Sequence, residues 1–94
     1  MAVKLERQQV AEALQKLTSW ELQGDQIERR LTFENFVDAM IFVNKVAEIA
    51  EEEGHHPDIR IVYNRVTLAL TTHDSGGLTQ KDFQMAHRID SLLT

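Results

Sequence analysis

Cysteine is absent from this 94-residue chain. Its absence removes a disulfide framework, a thiolate metal cage and a cysteine nucleophile together. Apolar runs are short, and none approaches the roughly 20 residues that cross a bilayer. Positive charge is also scarce: 10 Lys and Arg stand against 15 Asp and Glu, a net charge of −5. Direct binding of DNA or RNA relies on a basic patch that displaces counterions from phosphates, and here the basic residues are scattered. No nucleic-acid partner and no membrane are therefore expected. The opening stretch, MAVKLERQQVAEALQKL, is charged throughout and lacks the apolar centre of a signal peptide, so a cytoplasmic location is expected. Proline occurs once, at position 57, and no Pro/Gly-rich linker, repeat or low-complexity segment divides the chain. One domain, residues 1–94, is the simplest organisation for this length.

What the chain does contain is regular periodicity. Residues 4–17 read as a helix, with Val3, Leu5, Val10, Leu14 and Leu17 mostly on one side. Residues 20–23 and 26–33 read as two strands joined at Gly24-Asp25, with Trp20 and Leu22 alternating, then Ile27, Leu31 and Phe33. A long helix spans 33–53 and stops at Gly54. Residues 59–63 and 66–73 form a second hairpin around Asn64-Arg65. After the loop HDSGG, Thr79-Gln-Lys-Asp82 opens a last helix as a near capping box. The order α-β-β-α-β-β-α predicts an α+β two-layer sandwich, a four-stranded antiparallel sheet with helices packed on one face.

The stretch EEEGHHPDI, residues 51–59, is poor for local stability. Glutamates in the last turn of a helix meet the negative end of its dipole, at about 0.3–1 kcal/mol each. Pro57 disfavours helical geometry at His56 and pushes it towards an extended conformation. Taking Asn64-Arg65 as a two-residue turn sets Tyr63 opposite Val66, Ile61 opposite Leu68 and Ile59 opposite Leu70, all on the core face. The same register continued outward sets His56 opposite His73 on the open face, with Arg60, Thr67 and Thr71. Two histidines distant in sequence are then expected at one end of the sheet.

Three roles are open to such histidines. They can be solvated loop residues, as exposed polar residues commonly are. They can bind a metal, but adjacent residues such as His55 and His56 point opposite ways in an extended chain, and HExxH or a second HxH spacing is missing. No metal is therefore expected. Acid–base chemistry suits them better: two imidazoles with ordinary pKa values near about 6.5 can offer one donor and one acceptor near neutrality. A carboxylate nearby, such as Glu51, favours the protonated form of the imidazole it touches. An elimination that protonates a leaving hydroxyl and removes a proton elsewhere fits this set. Ser75 lies in a loop without an elbow motif, which disfavours a hydrolase.

The ordered pattern Glu51-x3-His55-His56-Pro57-x5-Tyr63-x9-His73-x8-Asp82 resembles the signature of the pterin-4a-carbinolamine dehydratases. GHHPDIRIVYNRVTLALTTHDSGGLTQKDF is similar to the core segment of that family, and the matching element order extends the resemblance over nearly the whole chain. The resemblance implies a hydro-lyase that dehydrates 4a-hydroxytetrahydropterin to quinonoid dihydropterin in tetrahydrobiopterin recycling. It implies His55, His56 and His73 as catalytic residues, with Glu51, Pro57 and Asp58 as substrate-binding or supporting ones, and neither metal nor cofactor. Ile59 departs from the pattern, since some members carry tryptophan two residues after the proline. Family members assemble into dimers or tetramers, and some act as dimerisation cofactors for a transcription factor. The alternative function is thus a noncatalytic interaction module on the same fold.

The long helix gives the expected self-association a location. At 100° per residue, Phe36, Ala39, Met40, Val43, Val46, Ala47 and Ala50 form one broad apolar face that can cover the sheet. Phe42 and Ile49 fall beyond its edge on one flank, and Ile41 on the other. A homodimer or homotetramer is expected through the 33–53 helix, with Phe42 and Ile49 at the contact. The competing arrangement buries both residues within one chain, under the sheet's twist or a neighbouring helix.

Overall fold

The computed structural model describes residues 2–93. Its elements run α1 (Arg7–Leu14), β1 (Glu21–Gln23), β2 (Gln26–Thr32), α2 (Phe36–Glu53), β3 (Asp58–Val62), β4 (Arg65–Leu70), a 3-10 turn at His73–Ser75 and α3 (Gln80–Ser91). The strands form one antiparallel sheet in the order β1-β2-β4-β3. This is the expected α-β-β-α-β-β-α sandwich.

Alternation along the strands separates the two faces. Ile27, Val66, Leu68 and Leu70 are fully buried, as are Val46 of α2 and Met85 and Ile89 of α3. Each such side chain contributes about 1.5–3 kcal/mol through its removal from water. The opposite face is polar: Gln26, Glu28, Arg30, Asp58, Arg60 and Thr67 line a shallow hollow on it. Trp20 is buried in the core and donates its indole N–H to Asp90 Oδ1 at 2.9 Å.

The helix ends follow capping chemistry. Residues 4 and 5 stay outside α1, because Leu5 N–H bonds to Leu78 O at 2.8 Å and Glu6 caps the helix through Gln9. The Asn35 side chain accepts the Asp38 N–H at 2.8 Å and starts α2 three residues later than expected. Gly54 ends α2 at φ +63°, a left-handed conformation that glycine adopts without steric cost.

The second hairpin differs from its expected register. The turn is Tyr63-Asn64, so Ile61 faces Val66 and Ile59 faces Leu68, a shift of one turn position. A long-range contact outweighs turn propensity here: Phe33 N–H bonds to Asn64 O, and Asn64 Nδ2 bonds to Phe33 O, both at 2.8 Å. These bonds continue the β2–β4 ladder and hold Asn64 in the turn. Tyr63 adopts φ +53° and is exposed rather than in the core. Because the shift keeps the parity of each strand, the remaining core residues still face inward.

α2 also buries a different face from the expected one. Phe42 and Ile49 are buried within the chain together with Ala39, Val43, Val46 and Ala50, while Phe36 and Ala47 are exposed. Phe42 packs on Phe33 with ring centroids 5.1 Å apart. The large apolar residues left exposed on the helix are Phe36, Val37 and Ile41. Phe42 and Ile49 are therefore core residues and not a surface flank.

Candidate active site

The site begins where α2 stops. Beyond Gly54 the His55 N–H still bonds to Ala50 O at 3.1 Å, and the chain then runs without regular secondary structure through Pro57 into β3. The two histidines, although adjacent, have different partners. His55 Nε2 lies 2.6 Å from Asp82 Oδ1, and His56 Nε2 lies 2.6 Å from Glu51 Oε2. The first pair is enclosed, with side chains 11% and 0% exposed; the second is open, at 63% and 78%.

Asp82 is the centre of a buried network. Its Oδ2 accepts the Thr72 hydroxyl at 2.8 Å and the Thr79 backbone N–H at 2.9 Å. Thr72 Oγ1 and Thr79 Oγ1 are a further 2.8 Å apart. Both threonines are buried. The Thr79–Asp82 capping box expected from sequence is thus present, but the same carboxylate also holds a histidine from the far end of α2.

His73 follows Thr72 directly and starts the 3-10 turn. Two backbone bonds between Thr72 and Gly77 pinch this loop at its base, at 3.1 and 3.3 Å. His73 is exposed and lines a hollow of about 330 Å³ with Gln23, Asp25, Gln26, Thr71 and Gly76. The Thr71 hydroxyl donates to Asp25 O at 2.6 Å, which ties the β1–β2 turn to the hollow's edge. A larger hollow of about 510 Å³, between the N-terminal segment and that turn, has no histidine in its lining.

The expected opposition of His56 and His73 is not found. The β3–β4 ladder ends at Asp58–Ala69, and its register continued outward would set His56 against Thr71. The structure joins His55, rather than His56, to the His73 segment: His55 and Thr72 hold opposite oxygens of one carboxylate. Asp58 begins β3 on the polar sheet face, 3.7 Å from Arg60 Nε, and Pro57 is half-buried between it and the histidines. Among the described residues no group of three or more His, Cys, Asp or Glu is arranged to hold a metal ion.

The glutamate run divides between two tasks. Glu51 holds His56, while Glu53 and Glu52 receive the two arms of Arg88 from α3 at 2.8 and 2.7 Å. The hydrogen bonds to Glu53 and Glu52 raise the Arg88 pKa above its ordinary value. This fork offsets the unfavourable charge at the end of α2. Sequence reasoning missed Arg88 and Thr72, whose partners are distant in the chain. It assigned Asp82 only a helix-start role, although Asp82 fills the last place in the motif.

The family model described as pterin 4 alpha carbinolamine dehydratase matches residues 3–92. The chain belongs to this family. Relatives provisionally named pterin-4-alpha-carbinolamine dehydratases include one from Acidobacterium capsulatum, 60% identical over 84 residues and covering 89% of this chain and 91% of the relative. Another, from Sulfurisphaera tokodaii, is 46% identical over 91 residues, 97% of this chain and 98% of its own. Among solved structures, a transcriptional coactivator/pterin dehydratase from Brucella melitensis superposes with a TM-score of 0.91 at 33% identity, covering 97% of this chain and 99% of that one. A pterin dehydratase-like protein identified as a RuBisCO assembly factor in the alpha-carboxysome is more distant, with a TM-score of 0.67 at 27% identity over 79% of this chain and 88% of that one.

Proposed function

We propose that the protein is a cytoplasmic hydro-lyase that removes water from 4a-hydroxytetrahydropterin, giving quinonoid dihydropterin in tetrahydrobiopterin recycling. The observation that carries this reading is the shared carboxylate of Asp82, which holds His55 on one oxygen and the segment bearing His73 on the other. In the reaction, one histidine protonates the 4a-hydroxyl as the C4a–O bond breaks and water leaves. Another takes the proton from N5, whose electron pair forms the C4a=N5 double bond. His55, His56 and His73 are the groups for these transfers, with Glu51 orienting His56 and with Pro57 and Asp58 shaping the approach. The hollow beside His73 is at the lower end of the size range of small-ligand sites, which suits a bicyclic pterin. No cofactor or metal is assigned a role. A direct test is stopped-flow dehydration of synthetic 4a-hydroxytetrahydropterin: acceleration over the spontaneous reaction is expected, and a rate equal to it would leave the noncatalytic interaction module as the reading.

The same proposal includes self-association through α2. Its contact is the exposed strip of Phe36, Val37 and Ile41, in place of the buried Phe42 and Ile49. Light scattering is expected to show an oligomer that Phe36→Glu with Ile41→Glu dissociates at least partly while the fold persists. A wild-type chain that is monomeric at high micromolar concentration would exclude this assembly.

A further inference from the structure

The hydrogen atoms of the buried network can be assigned one by one. Thr72 has a single hydroxyl hydrogen and donates it to Asp82 Oδ2. In the 2.8 Å contact between the two threonine hydroxyls, Thr79 must then be the donor. Thr79 Oγ1 meanwhile accepts the Lys81 N–H at 3.2 Å, so the hydrogen bonds all run one way, towards Asp82. Asp82 accepts on Oδ2 from both Thr72 and Thr79, and as an acceptor on Oδ1 as well it takes the Nε2–H of His55. Nδ1 is left as the His55 nitrogen available for proton exchange.

We infer that Thr72 is a positioning residue for His55. Its hydroxyl, acting through Asp82, fixes the carboxylate orientation that keeps the His55 Nε2–H bond in place and Nδ1 committed to the substrate. Thr72 lies at the base of the His73 loop and is 7% exposed. The hydroxyl therefore also couples the position of one histidine-bearing segment to that of the other. Packing alone does not account for this arrangement, because a valine of the same shape would fill the space without supplying a donor. This inference deepens the dehydratase reading and rests on it for the kinetic effect only.

Thr72→Val and Thr72→Ser separate the two roles. Valine keeps the volume and loses the hydroxyl; serine keeps the hydroxyl and loses the methyl. Proton and ¹⁵N NMR of the substrate-free protein follow the low-field His55 Nε2–H signal, with His55→Ala used to assign it. That signal is expected in the wild type and in Thr72→Ser, and to be lost or exchange-broadened in Thr72→Val. With synthetic 4a-hydroxytetrahydropterin, kcat is expected to fall about tenfold in Thr72→Val, with KM unchanged within about twofold and recovery in Thr72→Ser. Thermal melts identify any variant that fails to fold, and if Thr72→Val does not fold, a Thr72→Ser protein that lacks the signal overturns the inference. A folded Thr72→Val protein that retains the signal, or a Thr72→Ser protein as impaired as Thr72→Val, also overturns it. If the wild type shows no dehydration, the dehydratase reading fails alone, and the NMR comparison still decides the role of Thr72.

Discussion

His55–Asp82 and His56–Glu51 are pairs of the same two groups at the same separation, 2.6 Å, on neighbouring residues of one segment. Their surroundings differ. Asp82 is wholly enclosed and takes hydrogen bonds from three donors, whereas Glu51 is 78% exposed and has His56 as the partner described for it. In water a carboxylate and an imidazole gain little from contact, about 0–1 kcal/mol, and salt screens it further. Enclosed, the same pair has no solvent to replace a missing partner, and removing one member costs about 3–5 kcal/mol. One motif thus supplies an enclosed histidine held by a buried carboxylate and an exposed histidine whose carboxylate contact is screened by solvent.

The largest expected effect tests whether both kinds of histidine transfer protons. His55→Ala, His56→Ala and His73→Ala should each lower the dehydration rate by about 10²–10⁴-fold, the usual worth of a positioned acid or base. Circular dichroism checks that each variant is folded. Wild-type rates in folded His56→Ala and His73→Ala proteins would remove the exposed histidines from the chemistry and leave the enclosed one alone.

An intermediate effect separates the two carboxylates. Asp82→Asn puts an amide where three donors converge, and whichever way it turns, one of its ends donates instead of accepting. Denaturant unfolding should show a loss of about 3 kcal/mol or more. Glu51→Gln should cost less than about 1 kcal/mol, a cost that raised salt erases. Equal losses in the two variants would mean that enclosure is not what distinguishes the pairs.

The smallest expected effect is none. Exhaustive chelation should leave dehydration unchanged, since the proposed transfers need only imidazoles. Loss of activity that one zinc per chain restores would replace the acid–base comparison with a metal centre.

Much of this arrangement was legible in the sequence wherever local chemistry decides it. Period-two and period-3.6 patterns set the element order and the buried strand face, and Gly54 with Pro57 marked the exit from α2 that separates His55 from His56. The hairpin register was not legible, because the Asn64–Phe33 hydrogen bonds that decide it join segments more than thirty residues apart. The face of α2 was not legible either. The helix turns to bury Phe42 on Phe33 and Ile49 in the shared core, and periodicity alone does not show which flank a neighbour will cover. Asp82 could be read as a cap from its own neighbourhood, but its second task depends on a histidine 27 residues away.

The Arg88 fork has a consequence for how the molecule opens. Arg88 holds Glu52 and Glu53, and earlier in the same helix Asp82 holds His55, so the junction of α2 and β3 is fastened to α3 at two places. Fraying of that junction therefore has to detach α3 as well, which makes the two a single cooperative opening unit. The amide hydrogens of Gly54 and His55, both bonded to Ala50 O, would then exchange with solvent at the pace of the α3 amides and not at the fast pace usual for a helix end.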